Sequence, residues 1–244
     1  MNSSSIDTLT RYFTSRRAAV AVLMLSAGQF LMTGCSETSP IESSAAGLRL
    51  PAAGSVFIYQ ARGTGMYGPI EYFDTTEVVR TGLKLGGRTN VIEMKSYRAH
   101  HRTNYTYMST DASGNISFAE CDGEIITPEH IPTTLFWVTF PLATKGMTTV
   151  SSPDSNIVNG VAQPAVTYQV HYRDAEVVDG GSLPIASAKF DRSTIYDFGS
   201  GDSWVSTRQY WISTSTGIIS KIVDITEGDP GLVMEWVLVS QSIR

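Results

Sequence analysis

From residue 48 onward the chain is a series of short runs in which apolar and polar residues alternate, each bounded by a turn signal. The alternation is cleanest in two places. In RTNYTYMST (102–110), Tyr105 and Tyr107 fall on one side with Thr103, while Asn104 and Thr106 fall on the other. In AVTYQVHYR (165–173), Val166, Tyr168, Val170 and Tyr172 oppose Thr167, Gln169, His171 and Arg173. Successive side chains of a strand point to opposite faces, so a period of two predicts strands with one aromatic-lined face and one wet face. Further strands are expected at 54–61, 74–83, 88–97, 115–121, 134–142, 186–198, 203–213, 218–226 and 232–240.

So many strands cannot form one small flat sheet, so the sheet must curl or fold over. Between them, LGGR (85–88), DASGN (111–115), GSGDS (199–203) and STSTG (213–217) read as tight reversals, with Gly217 where the backbone needs positive φ. Such turns join sequence neighbours. The expected fold is therefore mainly β: an antiparallel meander forming a curled sheet, half-barrel or barrel with little helix. A short helix is expected after Pro128 in PEHIP (128–132), and a long loop over 146–164. The last strand, LVMEWVLVS (232–240), is apolar on both sides except for Glu235, so it should be central or covered on both faces.

The N-terminus obeys different rules. Arg11, Arg16 and Arg17 precede the apolar stretch AAVAVLMLSAGQFLMT (18–33), the pattern of a secretory signal with a basic and then an apolar region. Its 16 residues, interrupted by Gly28 and Gln29, are short of the ~20 that span a membrane. LMTGC (31–35) resembles the lipobox of bacterial lipoprotein signal peptides, with Met32 where Leu is usual. That resemblance implies a signal peptide over residues 1–34 and acylation of Cys35. Two or more acyl chains would anchor the protein on a membrane without a spanning helix. Residue 36 is Ser, not the Asp of inner-membrane retention, so the resemblance implies an outer-membrane anchor facing the periplasm. Residues 36–47, SETSPIESSAAG, are small, polar and free of aromatics, the composition of a flexible tether. Residues 48–244 then form a single antiparallel β domain.

Charge narrows the function. The 244 residues carry 18 Lys+Arg and 23 Asp+Glu, a net charge of −5, with no basic cluster of the kind nucleic-acid binding needs. Loss of residues 1–34 removes three Arg and one Asp, leaving 15 bases and 22 acids, a net charge of −7. With Cys35 acylated, Cys121 has no intramolecular disulfide partner; it is either a buried small hydrophobe or a thiol near a turn.

Catalytic and metal motifs are missing from the pattern. There is no G-x-S-x-G, and GTGMYG (63–68) runs into Pro69 and a β-prone segment rather than the helix a dinucleotide loop requires. His100 and His101 are adjacent, so on a strand they diverge, and Glu120 lacks the companions of a calcium loop after DASGN. The expectation is no enzyme, no cofactor and no metal. The aromatic residues are the informative internal feature. Tyr105, Tyr107, Tyr168, Tyr172, Trp211 and Trp236 either fill a core or line a cavity for a hydrophobic small molecule or acyl chain. A second reading is an assembly role through contacts with an envelope protein, by a sheet edge or the 146–164 loop.

PAAGSVFIYQ (51–60) and the hairpin QYWISTSTGIISKIVDIT (209–226) give the layout a resemblance to the LolA and LolB-like superfamily of periplasmic lipoproteins and lipoprotein carriers. The resemblance implies a half-open antiparallel barrel wrapped on one or more helices, with an apolar concavity for acyl chains.

Overall fold

The computed structural model describes residues 48–65, 68–98, 103–121, 126–132, 135–152, 157–158, 161–162, 165–181, 184–198, 203–225 and 233–244. The signal sequence, Cys35, the tether, the His100–His101 pair and most of the GSGDS turn lie outside them. Fourteen strands and no helix occur among the described residues. The first six are β1 (Val56–Gly65), β2 (Gly68–Leu85), β3 (Arg88–Arg98), β4 (Asn104–Thr110), β5 (Ile116–Cys121) and β6 (Leu135–Phe140). Then come β7 (Met147–Ser151), the short β8 (Ile157–Val158) and β9 (Val161–Ala162), β10 (Ala165–Asp179) and β11 (Pro184–Asp197). The last are β12 (Ser203–Ser213), β13 (Ile219–Ile225) and β14 (Val233–Ser242).

Twelve strands form one sheet in the order β6-β5-β4-β3-β2-β1-β14-β13-β12-β11-β10-β7, and β8 pairs with β9 alone. Every ladder is antiparallel. The sheet is a meander throughout, except that β14 returns to β1 and β7 pairs with β10 across the β8–β9 hairpin. Its two outer edges approach each other, and the Thr148 hydroxyl donates to the Thr139 carbonyl across them. The result is a nearly closed barrel. β14 lies between β13 and β1, a central position that its apolar sequence demands.

Two local expectations are corrected. The segment 146–164 is not a structureless loop, because it contributes β7 and the β8–β9 hairpin. PEHIP is not helical: the Thr127 N–H donates to the His130 carbonyl at 2.9 Å, and the His130 N–H donates to Thr127 Oγ1 at 3.0 Å. With proline at both ends of five residues, a bend is satisfied more easily than a helical turn. The helices that the family resemblance implies are not present among the described residues.

The hairpin turns behave as their residues require. Asp111 Oδ1 accepts from the N–H groups of Ser113 and Asn115, both at 2.9 Å, which ties DASGN into its reversal. These hydrogen bonds act against burial and hold the Asp111 carboxyl below the ordinary range. At the β12–β13 turn, Gly217 has φ +72, and a Cβ there would sit 2.8 Å from Ile116 Cδ1.

The half of the barrel nearest these tight turns is packed solid. Phe57, Val78, Ile92, Met108, Ile116, Phe140, Phe190, Ile212 and Leu238 are each at most 2% exposed and form its core. Aromatic contacts cross the open seam: Phe140 on β6 meets Phe190 on β11 at 5.4 Å and Tyr210 on β12 at 5.2 Å. Leu48 and Leu50 pack against this core, so the chain enters the domain at the closed end.

A second, smaller cluster lies outside the barrel wall. Val91, Tyr107, Ala119 and Ile126 are buried there, with Leu83, Leu85, Tyr105 and Trp137 against them. Register shifts between Val78 and Leu85 bend β2, and Trp137 Nε1 donates to the Gly86 carbonyl at 3.1 Å, fastening the β2–β3 turn over this patch. The expectation of one wet face on the Tyr105–Tyr107 strand is therefore overturned: Tyr107 is buried outside while Met108 is buried inside.

Candidate functional site

Away from the closed end, the inward-facing positions change character. The ladder sets Phe57, Tyr59 and Ala61 of β1 opposite Thr76, Asp74 and Tyr72 of β2, and carries the same side on to Ser96 of β3 and Asn104 and Thr106 of β4. Asp74, Thr76, Ser96, Asn104 and Arg208 are polar members of the lining of a cavity of ≈ 550 Å³. Met94, Phe118, Ile222 and Trp236 supply its apolar part. Tyr59 closes one side; burial raises its phenol above the usual range, and its hydroxyl donates to the Ile219 carbonyl at 2.9 Å.

An adjoining cavity of ≈ 350 Å³ shares Asn104, Thr106, Phe118, Ile219 and Ile222 with the first. It occupies a break in the wall. The β4–β5 ladder runs only from Thr110↔Ile116 to Met108↔Phe118, whereas β3–β4 continues to Ser96↔Asn104 and β5–β6 to Cys121↔Leu135. Beyond Met108 and Phe118 the two strands part, and Tyr105, Ala119, Cys121 and Ile126 form the rim.

Arg192 dominates the floor of this second cavity. It projects from β11 and is 9% exposed. Its Nη1 donates to Glu120 Oε1 on β5 at 2.6 Å and to the Tyr210 hydroxyl at 3.4 Å. Its guanidinium lies over the Tyr168 ring, 4.5 Å from the centroid. Burial opposes the charge, but the Tyr210 hydroxyl and Glu120 outweigh it and hold the Arg192 pKa above the usual guanidinium value. Arg192 Nε is buried and has no hydrogen-bond acceptor among the described residues.

The six aromatic residues singled out in the sequence are divided between three environments. Tyr168, Tyr172 and Trp236 are inward: Tyr168 stacks with Arg192 and sits 5.3 Å from Phe136, Tyr172 meets Phe190 at 5.6 Å, and Trp236 lines the larger cavity. Tyr105 and Tyr107 belong to the outer cluster, Tyr105 also reaching the rim. Trp211 lies on the outer wall, where Lys189 and Lys221 each sit 4.9 Å from its ring and its Nε1 donates to Glu176 Oε2 at 2.7 Å. Arg192 was not anticipated, although AKFDRSTIYD places it at the same parity as Phe190 and Tyr196. That parity was the available signal.

Parts of the outer face are polar. Gln60, Arg62, Glu71 and Glu77 face outward from β1 and β2, and Thr167, Gln169, His171 and Arg173 from β10. A barrel that crosses a bilayer presents an apolar band there, and a mid-bilayer Arg or Lys on its lipid face costs about 2–4 kcal/mol. Arg62 and Arg173 stand exposed on this wall, each paired with an acid.

No protein-family model matches the sequence. No curated protein matches it. The fold is similar to that of a proposed lipoprotein from Parabacteroides distasonis, with a TM-score of 0.50 and 11% identity, covering 79% of this chain and 97% of that one. A proposed exported protein with a YmcC-like fold from Bacteroides fragilis gives a TM-score of 0.42 at 10% identity, covering 80% and 99%. The hypothetical lipoprotein YmcC from Escherichia coli gives 0.38 at 11% identity, covering 82% and 89%. The first likeness concerns the fold alone, and the other two are too distant in shape to add to it. What fold and site define together is an antiparallel, nearly closed β-barrel, packed at one end and hollow toward the other.

Proposed function

We propose that this protein is a non-enzymatic lipoprotein of the bacterial cell envelope that holds a hydrophobic ligand in its lumen. In this reading Cys35 carries the acyl chains, the outer membrane is the anchoring surface, and the domain stands in the periplasm. LMTGC and the lipoprotein of similar fold support the envelope part. The observation that carries the ligand part is the pair of adjoining cavities lined by Phe118, Phe140, Ile222 and Trp236, which open where β4 parts from β5. Cavities of this size are in the range that takes small organic ligands. The test is native mass spectrometry with lipid extraction on the chain from residue 36 onward, purified from the periplasm. A bound apolar species supports the reading, and a protein that is consistently empty and ignores apolar probes removes it.

A second reading, contact with an envelope protein, is favoured by the exposed rings of Phe73 and Tyr97 on the outer faces of neighbouring β2 and β3, 55% and 40% exposed. Crosslinking in intact envelopes separates the two: a stoichiometric protein partner that is lost on changing both rings to Ser favours this one. The non-enzymatic part predicts that broad nucleophile-directed probes leave the protein unmodified.

A further inference from the structure

We infer that the unpaired edge of β10 over residues 173–179 is a docking site for an extended, basic segment of a partner polypeptide, which adds to the β10–β11 hairpin as a third strand. The site is on the outer wall and is independent of any ligand in the lumen.

The hairpin outruns its neighbours. β7 pairs with β10 from Thr167 to His171, so residues 173–179 have β11 on one side and no ladder on the other among the described residues. The hairpin also folds across the outer wall: its turn lies against the β14 backbone at Leu238, and Glu176 Oε2 accepts from Trp211 Nε1 of β12 at 2.7 Å. Between the unpaired edge and the wall is a cleft of ≈ 530 Å³, lined by residues 176–181 with Arg62 of β1, Lys221 of β13 and Glu235 and Val237 of β14. Val177 borders it, 67% exposed. A row of unpaired backbone groups is a template for another strand, and the cleft is room for that strand's side chains.

Charge decides which strand fits. Around the cleft the cations are already taken: Lys221 meets Glu235 at 2.5 Å, Lys189 meets Glu176 at 3.2 Å, Arg62 meets Glu71 at 3.4 Å and Arg173 meets Asp191 at 2.5 Å. Asp174 and Asp179 accept from the Ala175 and Gly181 N–H groups at 2.7 and 2.8 Å, and neither has a cation at ion-pair distance among the described residues. The edge therefore presents uncompensated negative charge. Opposite charges across a strand pair stabilise it and like charges oppose it. A segment carrying Lys or Arg is favoured, whereas a second copy of this edge would bring further acids to it.

The experiment uses the full acylated chain in phosphatidylcholine nanodiscs, whose lipid has no net charge to compete for the probe. Fluorescent peptides of about eight residues are titrated by anisotropy: one alternating Val and Lys, one alternating Val and Glu, and the Val–Lys peptide N-methylated along its backbone. The Val–Lys peptide should bind roughly tenfold or more tightly than the Val–Glu peptide. It should also slow amide exchange within 173–179, and N-methylation, which removes its backbone donors, should abolish binding. Asp174→Asn with Asp179→Asn keeps the side-chain acceptors for Ala175 and Gly181 and should shrink the preference for Lys over Glu. If that variant does not fold, the peptide comparisons on the unaltered protein carry the test. Equal affinity for the Lys and Glu peptides, or no binding by any peptide, overturns the inference. So does binding that leaves exchange in 173–179 unchanged, an N-methylated peptide that binds as well as its parent, or an undiminished Lys preference in the folded variant.

Discussion

Phe140 and Phe190 meet edge to face, with ring centroids 5.4 Å apart and planes at 87°. The two residues belong to β6 and β11, on opposite sides of the seam where the sheet has no backbone ladder. Closure of the barrel therefore depends on side chains at this point. Phe140→Ala should lower stability by about 3–5 kcal/mol, the usual cost of emptying a fully buried ring site. Urea unfolding measures it; a loss below 1 kcal/mol would mean that the seam is held by other contacts.

Gly180 and Gly181 give a pair of variants with different physics. A Cβ on Gly180 would fall 2.0 Å from the Leu238 carbonyl oxygen, so the β10–β11 turn lies directly against the backbone of β14. Gly181 has φ +91 and open space around it. Gly181→Ala should cost about 1–2 kcal/mol of conformational strain and leave the contact intact. Gly180→Ala should force the turn off β14, seen as faster amide exchange around Leu238, which Gly181→Ala should not produce.

The parted strands make a pattern visible in hydrogen exchange. Between Asn104 and Tyr107, amides that point toward β3 have ladder partners, whereas those that point toward β5 have none. Exchange should alternate fast and slow along these residues and become uniformly slow from Met108 to Thr110. Uniform protection from Asn104 onward would show that the wall is closed in solution.

Asp111 links the β4–β5 turn to pH. Its folded pKa is depressed, so its contribution is present above the pKa of an unfolded Asp, about 3.9, and is lost as pH falls through the lower folded value. Asp111→Ala should therefore be less stable than the unaltered protein at neutral pH. The gap should narrow steadily in acid. Urea midpoints at about pH 7 and pH 3 check this, and a gap independent of pH would assign the effect to something other than the carboxylate.

Anchoring is tested at Cys35. Cys35→Ala should abolish incorporation of labelled fatty acid and move the protein from the membrane fraction to the soluble one or leave it as an uncleaved precursor. Continued acylation of the variant would place the modification elsewhere.

The barrel was legible because its evidence is local. Period-two alternation in 165–173 assigns Val166, Tyr168, Val170 and Tyr172 to one face, and the structure keeps them there. Turns such as DASGN carry their own hydrogen-bonding groups, so a meander follows from chain order. The β7 and β8–β9 strands were missed because MTTVS and the two-residue pieces are too short to show a period.

Other features depended on which faces meet. Alternation states that Tyr105 and Tyr107 share a side but cannot say which side is inside, and a bent β2–β3 hairpin that buries both sides leaves no sign in the β4 sequence. The pairing of Glu120 with Arg192, 72 residues away, is of the same kind. By itself the sequence determined the signal-like N-terminus, the strand periodicity and the order of neighbouring strands, all set by interactions over a few residues. The tertiary structure alone decided the closure of the seam, the parting of β4 from β5 and the burial of Arg192 against Glu120. Those are set by how a twisted sheet curls back on itself, which no short window of residues encodes.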